Sequence, residues 1–119
     1  MPWIVEACDE YDVEFQSHTK NVKREISALV ELLAAYGPDL HRPFCDTLKG
    51  SHFSNMKELR FSADNGVWRL AFAFDTERKA ILLVAGDKSG IASALFYKRL
   101  IKKADTRFKA HLDRLRRKN

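Results

Sequence analysis

Long apolar runs are missing from this sequence, and none approaches the roughly 20 residues that a membrane-spanning helix requires. The first ten residues, MPWIVEACDE, lack the charged-then-apolar layout of a signal peptide, so a cytoplasmic protein is expected. Cysteine is scarce. Cys8 and Cys45 are far apart, with no CxxC and no nearby histidine pair, which argues against both a metal site and a disulfide framework. They read as reduced, partly buried thiols. Phosphate-loop glycine patterns are absent as well, because Gly86-Asp87-Lys88-Ser89-Gly90 has suitable residue types at the wrong spacing. GxSxG is lacking, and His18, His41, His52 and His111 form neither HExxH nor another two-ligand spacing, so catalytic zinc is not expected. Acids are few where the positive charge gathers, which disfavours a two-carboxylate hydrolase or a magnesium-dependent nuclease. Neither a cofactor nor a metal is expected.

What is present is a chain of 119 residues, 45% hydrophobic and 31% charged, enough for one domain (1–119) with its own core. The net charge of +5 is unevenly spread. Residues 1–36 carry net −4, residues 37–94 net +1 and residues 95–119 net +8. Such polarity suggests an anionic partner for the C-terminal half, or an acidic segment that neutralises it.

Trp3 to Ala7 reads as a first strand, and the acids Asp9, Glu10 and Asp12 follow where a helix N-terminus favours negative charge. Val22, Ile26, Leu29, Val30, Leu33 and Tyr36 keep helical spacing up to the stop at Gly37-Pro38. Thr19 is placed to start a second helical piece, giving a kinked helix or a helical hairpin. Residues 37–56 show no sustained period and read as an ordered connector pinned by Leu40, Phe44, Leu48 and Phe53. Lys49-Gly50-Ser51-His52 within it suits either an anion-facing turn or a solvated loop. A last helix from near Ser93 to about Arg117 carries an apolar stripe from Phe96 to Leu115, with Lys98, Arg99, Lys102, Lys103, Lys109 and Arg116 around the remainder.

The segment from Lys57 to Gly90 organises the rest. Three period-two apolar runs are separated by breaks at Ser62–Gly66 and Asp75–Lys79, predicting an antiparallel meander. Strand side chains alternate, so Leu59 and Phe61 share one face and Glu58 and Arg60 the other. In the next strand Trp68, Leu70, Phe72 and Phe74 make a core face under a helix. Val67, Arg69, Ala71 and Ala73 make the opposite one, which reads as a shallow, small-residue surface with Arg69 projecting into it. The run from Ala80 to Gly86 is apolar on both faces, as a central strand would be.

The cations Lys49, His52, Lys57, Arg60, Arg69, Lys88 and Lys98, with Tyr97, gather on the meander and its flanks. Arginine's planar fork suits phosphate. RNA can be cleaved without a metal: a base takes the 2′-hydroxyl proton, that oxygen attacks the adjacent phosphate, and an acid protonates the departing 5′-oxygen, while cations stabilise the developing charge. The competing structural reading pairs Arg60 and Arg69 with Glu58, Asp64 or Asp87 across the sheet.

Leu48-Lys49-Gly50, Lys57-Glu58-Leu59-Arg60, Val67-Trp68-Arg69-Leu70-Ala71-Phe72, Ile81 to Lys88 and Phe96-Tyr97, in that order, resemble the RelE/ParE superfamily of toxin–antitoxin toxins, most closely the HigB-type, phage-derived branch. The resemblance spans essentially the whole chain. It implies an α+β fold: a small, twisted sheet of about four strands, antiparallel but mixed at the first strand, with an N-terminal helix or hairpin and a C-terminal basic helix. It implies a toxin that cleaves messenger RNA in the ribosomal A site without a metal and is silenced by a cognate helix-turn-helix antitoxin. Arg60, Arg69, Lys88 and Tyr97 match catalytic positions of the family, with Tyr97 able to stack on a base. Lys49, His52, Lys57, Lys98 and Lys102 are the RNA-binding candidates. Glu58 stands where RelE-like members are basic, and the general base is open among Lys88, His52 and Glu58. Alternatives are a ParE-like toxin directed at DNA gyrase and a non-catalytic nucleic-acid-binding module.

Overall fold

A two-residue hairpin sets the geometry of the sheet. In the computed structural model, which describes residues 2–118, Asp64 and Asn65 have φ of 51° and 62° and join β3 (Lys57–Ala63) to β4 (Gly66–Phe74). Positive φ at both central residues is the conformation whose twist matches the flanking strands, and Asp and Asn tolerate it better than most residues. The turn is tied to the N-terminal helices. Thr19 and Asn21 both donate to the Asp64 carboxylate, at 2.5 and 2.7 Å. These bonds hold its pKa below the ordinary carboxylate value.

The full sheet runs β1-β5-β4-β3-β2. β1 (Val5–Ala7) pairs in parallel with β5 (Ala80–Asp87), while β5, β4 and β3 form the predicted antiparallel meander. A fifth strand, β2 (Cys45–Thr47), extends the expected four from within the connector. Three residues, Cys-Asp-Thr, carry too short an alternation to be read from sequence. The N-terminal region is a helical pair, α1 (Asp9–Gln16) and α2 (Lys20–Tyr36), divided by Thr19, whose side chain accepts from Val22 N–H and caps α2. Helix α3 spans Ser93–Arg117.

Helices cover both faces of the sheet. α1 and α2 pack over β5 and β3, and α3 packs over β5 and β4. This corrects the reading of Ala71 and Ala73 as part of an open shallow surface. Both are fully buried, and their small size lets α3 approach closely. Gly86, the β4–β5 partner of Arg69, serves the same close packing: a methyl group there would lie 3.0 Å from the Phe96 ring. Trp68, Leu70, Phe72 and Phe74 form the other face, with Leu70 and Phe72 fully buried. No helix among the described residues is long and apolar enough to cross a membrane.

One register shift matters for α3. Ala71 lies opposite Val84 and Phe72 opposite Leu82, so Leu83 is an extra residue in β5 and its carbonyl leaves the ladder. Arg107 of α3 donates to that carbonyl at 2.8 Å and grips Glu14 of α1 with the same guanidinium. The thiol of Cys8 also points at it, at 3.6 Å. Cys8 and Cys45 are both free and buried, and burial pushes both thiols up, Cys45 to about 11.

Candidate functional site

Arg60 and Arg69 are direct cross-strand partners in the β3–β4 ladder. Like charges placed opposite each other are destabilising unless something neutralises them. Glu58 does so, because it is two residues from Arg60 on the same face and only 3% exposed. Its Oε2 accepts from Arg60 Nη1 at 2.7 Å, and its Oε1 lies 3.6 Å from Arg69 Nε. The third ligand of this carboxylate comes from α3. Tyr97 Oη donates to Glu58 Oε1 at 2.9 Å and accepts from Arg69 Nε at 3.1 Å. Arg69 Nη1 is anchored on the Trp68 carbonyl at 2.8 Å, and among the described residues its Nη2 has no hydrogen-bond partner.

The pairing reading of the two arginines thus holds for Glu58 but not for the other two acids. Asp64 is taken by Thr19 and Asn21. Asp87 accepts from the Val67 and Ser89 N–H groups and the Ser89 hydroxyl, which hold its pKa below the usual range and shape the turn that carries Lys88. The Tyr97 phenol is raised above its ordinary pKa, mainly by burial, with Arg69 opposing, so it keeps its proton at neutral pH. Lys88 Nζ hangs 5.8 Å from the centre of the Tyr97 ring. Arg60, Arg69 and Tyr97 therefore lie together around one buried carboxylate, with Lys88 over the Tyr97 ring.

Tyr97 also lines the edge of a groove of about 550 Å³ between α3 and the loop after β2. Lys49, Gly50 and His52 stand on the loop side, and Lys98, Ile101 and Lys102 on the helix side. Lys49, His52, Lys98 and Lys102 are exposed, and none of the three lysines makes a salt bridge among the described residues. Four of the five RNA-binding candidates thus meet in one groove. Lys57 does not join them. Alternation along β3 puts it on the α2 side of the sheet, where its ammonium reaches the Pro38 carbonyl at 3.5 Å.

Two acids belong to this region: Glu58, read from the sequence as one of three candidate bases, and Asp105, which was not among the predicted site residues. A carboxylate inside a strand between basic neighbours is the signal for Glu58. Asp105 is a buried residue on a helix otherwise rich in exposed cations. Among the described residues no three His, Cys, Asp or Glu side chains come together in a way that would hold a metal ion.

With this geometry in hand, comparison with known proteins is direct. Residues 13–109 match the family described as phage derived protein Gp49-like. The chain belongs to the Gp49-like family. Within curated sequences, it is 44% identical over 88 residues to "Putative toxin HigB2" of Mycobacterium tuberculosis, and 42% identical over 76 residues to "Putative toxin HigB3" of the same organism. These matches cover 73% and 64% of this chain, and 43% and 65% of those proteins respectively, so the chain spans less than two thirds of either relative. A solved structure of Escherichia coli toxin RelE, a double arginine-to-alanine mutant in the free state, superposes with a TM-score of 0.63 over 90% of this chain and 98% of that one. Identity is only 13%, so what this Gp49-like chain shares with it is the fold. The HigB-type, phage-derived resemblance and the RelE-like fold read from the sequence are both borne out.

Proposed function

We propose that this protein is the toxin of a toxin–antitoxin pair, a ribosome-dependent, metal-independent messenger RNA endonuclease held in check by a cognate helix-turn-helix antitoxin. The observation that carries this reading is the Glu58, Arg60, Arg69 and Tyr97 cluster at the end of a cationic groove. The names of the HigB relatives support the toxin part of this reading. Single-stranded RNA tracks a positively charged groove through its phosphates, and an aromatic such as Tyr97 offers a stacking face.

In this reading the scissile phosphate sits beside Tyr97, within reach of Arg60, Lys88 and the unpartnered Nη2 of Arg69. The buried Glu58 meets substrate only through Tyr97. As the 2′-hydroxyl proton passes to the Tyr97 oxygen, the phenolic proton passes to Glu58, and the 2′-oxygen attacks phosphorus. The P–O5′ bond breaks, and the ammonium of Lys88 protonates the departing oxygen. The products are a 2′,3′-cyclic phosphate and a free 5′-hydroxyl. Glu58 thereby becomes the final proton acceptor among the three candidate bases, with Lys88 the acid.

Primer extension on messages translated by purified ribosomes, with the protein first dialysed against EDTA and then freed of the chelator, tests the reading. Cleavage at discrete A-site positions is expected only when the protein is present. Intact message, with DNA-damage signalling in expressing cells, would instead favour a gyrase-directed toxin, and RNA binding without cleavage would favour a non-catalytic module.

A further inference from the structure

Residues 95–119 contain just two acids, Asp105 and Asp113. Asp113 lies on the outer face of α3 and pairs with Lys109 and Arg116 of its own helix. Asp105 behaves differently. It is only 9% exposed, it lines the cationic groove, and among the described residues it makes no salt bridge with the lysines around it. Its carboxylate takes neutral donors from the facing loop instead. Oδ1 accepts the Ser51 hydroxyl at 2.5 Å and Oδ2 accepts the His52 backbone N–H at 3.0 Å. Ser51 Oγ in turn accepts the Phe53 N–H at 2.9 Å. One turn further along α3, Phe108 meets the Phe53 ring edge-on, with centroids 4.9 Å apart.

We infer that Asp105 is a positioning residue for RNA. It staples the loop bearing Lys49 and His52 to α3, so that these side chains face Lys98 and Lys102 across one groove. This rests on the proposed RNA-cleaving reading. The base of the loop is closed by the Leu48 N–H on the Met56 carbonyl at 2.9 Å and by Asn55 on the Phe74 carbonyl at 2.8 Å, but among the described residues the stretch 49–52 is hydrogen-bonded to another element only through Asp105, and Gly50 within it has a φ of +96°. Hydrogen bonds to a charged acceptor are stronger than neutral ones, which explains an acid here rather than an amide. Both oxygens are engaged by the loop, so the carboxylate orders the groove without capping any of its lysines.

Charge and position make opposite predictions. If Asp105 acted only through its charge, Asp105→Asn would raise the positive potential of the groove and tighten RNA binding. As a positioning residue it should do the reverse. Fluorescence anisotropy with a short, labelled single-stranded RNA, on variants whose circular dichroism and thermal midpoint establish folding, reads the difference. Asp105→Asn should weaken binding roughly tenfold, the effect expected from losing one charge-assisted hydrogen bond. Ser51→Ala, which leaves the charge in place, should weaken it to a similar degree, and the double variant should add little because both act on one contact. The dependence of log Kd on log salt should flatten by about one phosphate contact in each variant, a change that a purely structural role would not produce. Unchanged or tighter binding by folded Asp105→Asn overturns the inference, as does a normal salt slope in Ser51→Ala. Wild-type protein that shows no salt-sensitive affinity for RNA overturns the RNA-cleaving reading itself.

Discussion

Arg60 and Arg69 face each other across the β3–β4 ladder, and the charge that permits it belongs to Glu58. The site is therefore also a stability element. Glu58→Gln preserves shape but leaves two adjacent guanidiniums without a counter-charge in a largely buried setting, and should cost about 2–4 kcal/mol. The urea unfolding midpoint measures this. A midpoint within experimental error of wild type would show that the arginines do not depend on Glu58.

Tyr97→Phe separates chemistry from folding. Phe keeps the ring packed beside Phe96 and under Lys88, while Arg69 and Glu58, already 3.6 Å apart, can pair directly. The expected stability loss is about 1 kcal/mol. Cleavage should fall by about two orders of magnitude, the usual scale for losing a proton-transfer group. Wild-type cleavage rates in this variant would eliminate the relay to Glu58.

The lysines should divide by face. Lys98→Ala and Lys102→Ala each remove a cation from the groove, so each should weaken RNA binding and flatten its salt dependence. Lys57→Ala lies on the other side of the sheet and should leave affinity unchanged. Equal losses from all three substitutions would mean that RNA follows a path other than this groove.

Stability should fall on mild acidification. His18 accepts or donates a hydrogen bond with Tyr11 at 3.0 Å and meets the Trp68 ring edge-on, and burial lowers its pKa from 6.5, with Glu14 opposing and Lys23 reinforcing the shift. A histidine with a depressed folded pKa takes up protons more readily when unfolded. Its contribution is therefore complete above the unfolded value and is lost as pH falls from there toward the folded one. Urea midpoints measured from neutral pH downward should decline through this window, and His18→Gln should decline less. Parallel declines in the two proteins would assign the effect elsewhere.

Much of this architecture was legible because it rests on local patterns. The period-two runs fixed β3, β4 and β5, and the break at Ser62–Gly66 between two such runs marked the hairpin. The helical stripe from Phe96 to Leu115 gave α3 its true length. What was not legible depended on partners distant in sequence. Alternating Ala71 and Ala73 fit an open groove or a tightly docked helix equally well, and only α3 decides between them. β2 exists because β3 offers it a register, not because Cys-Asp-Thr has a strand pattern of its own. That Arg60, Arg69, Lys88 and Tyr97 belong to one site was implied by the family resemblance, while alternation by itself put only Arg60 and Arg69 off the core face. Glu58 stood out as an anomaly of sign, and Lys57 was misplaced because nearness in sequence to Arg60 does not survive the alternation of faces.

Every predicted catalytic side chain except Tyr97 lies on or just after the meander, whose strands are consecutive in the chain, whereas Tyr97 and one wall of the groove arrive with α3. A chain cut before Ser93 has its arginines and its carboxylate but no phenol between them and no channel beside them. Synthesis from the N-terminus therefore withholds the complete site until α3 has emerged and docked. Under the proposed RNA-cleaving reading, a nascent chain that lacks α3 carries no complete site.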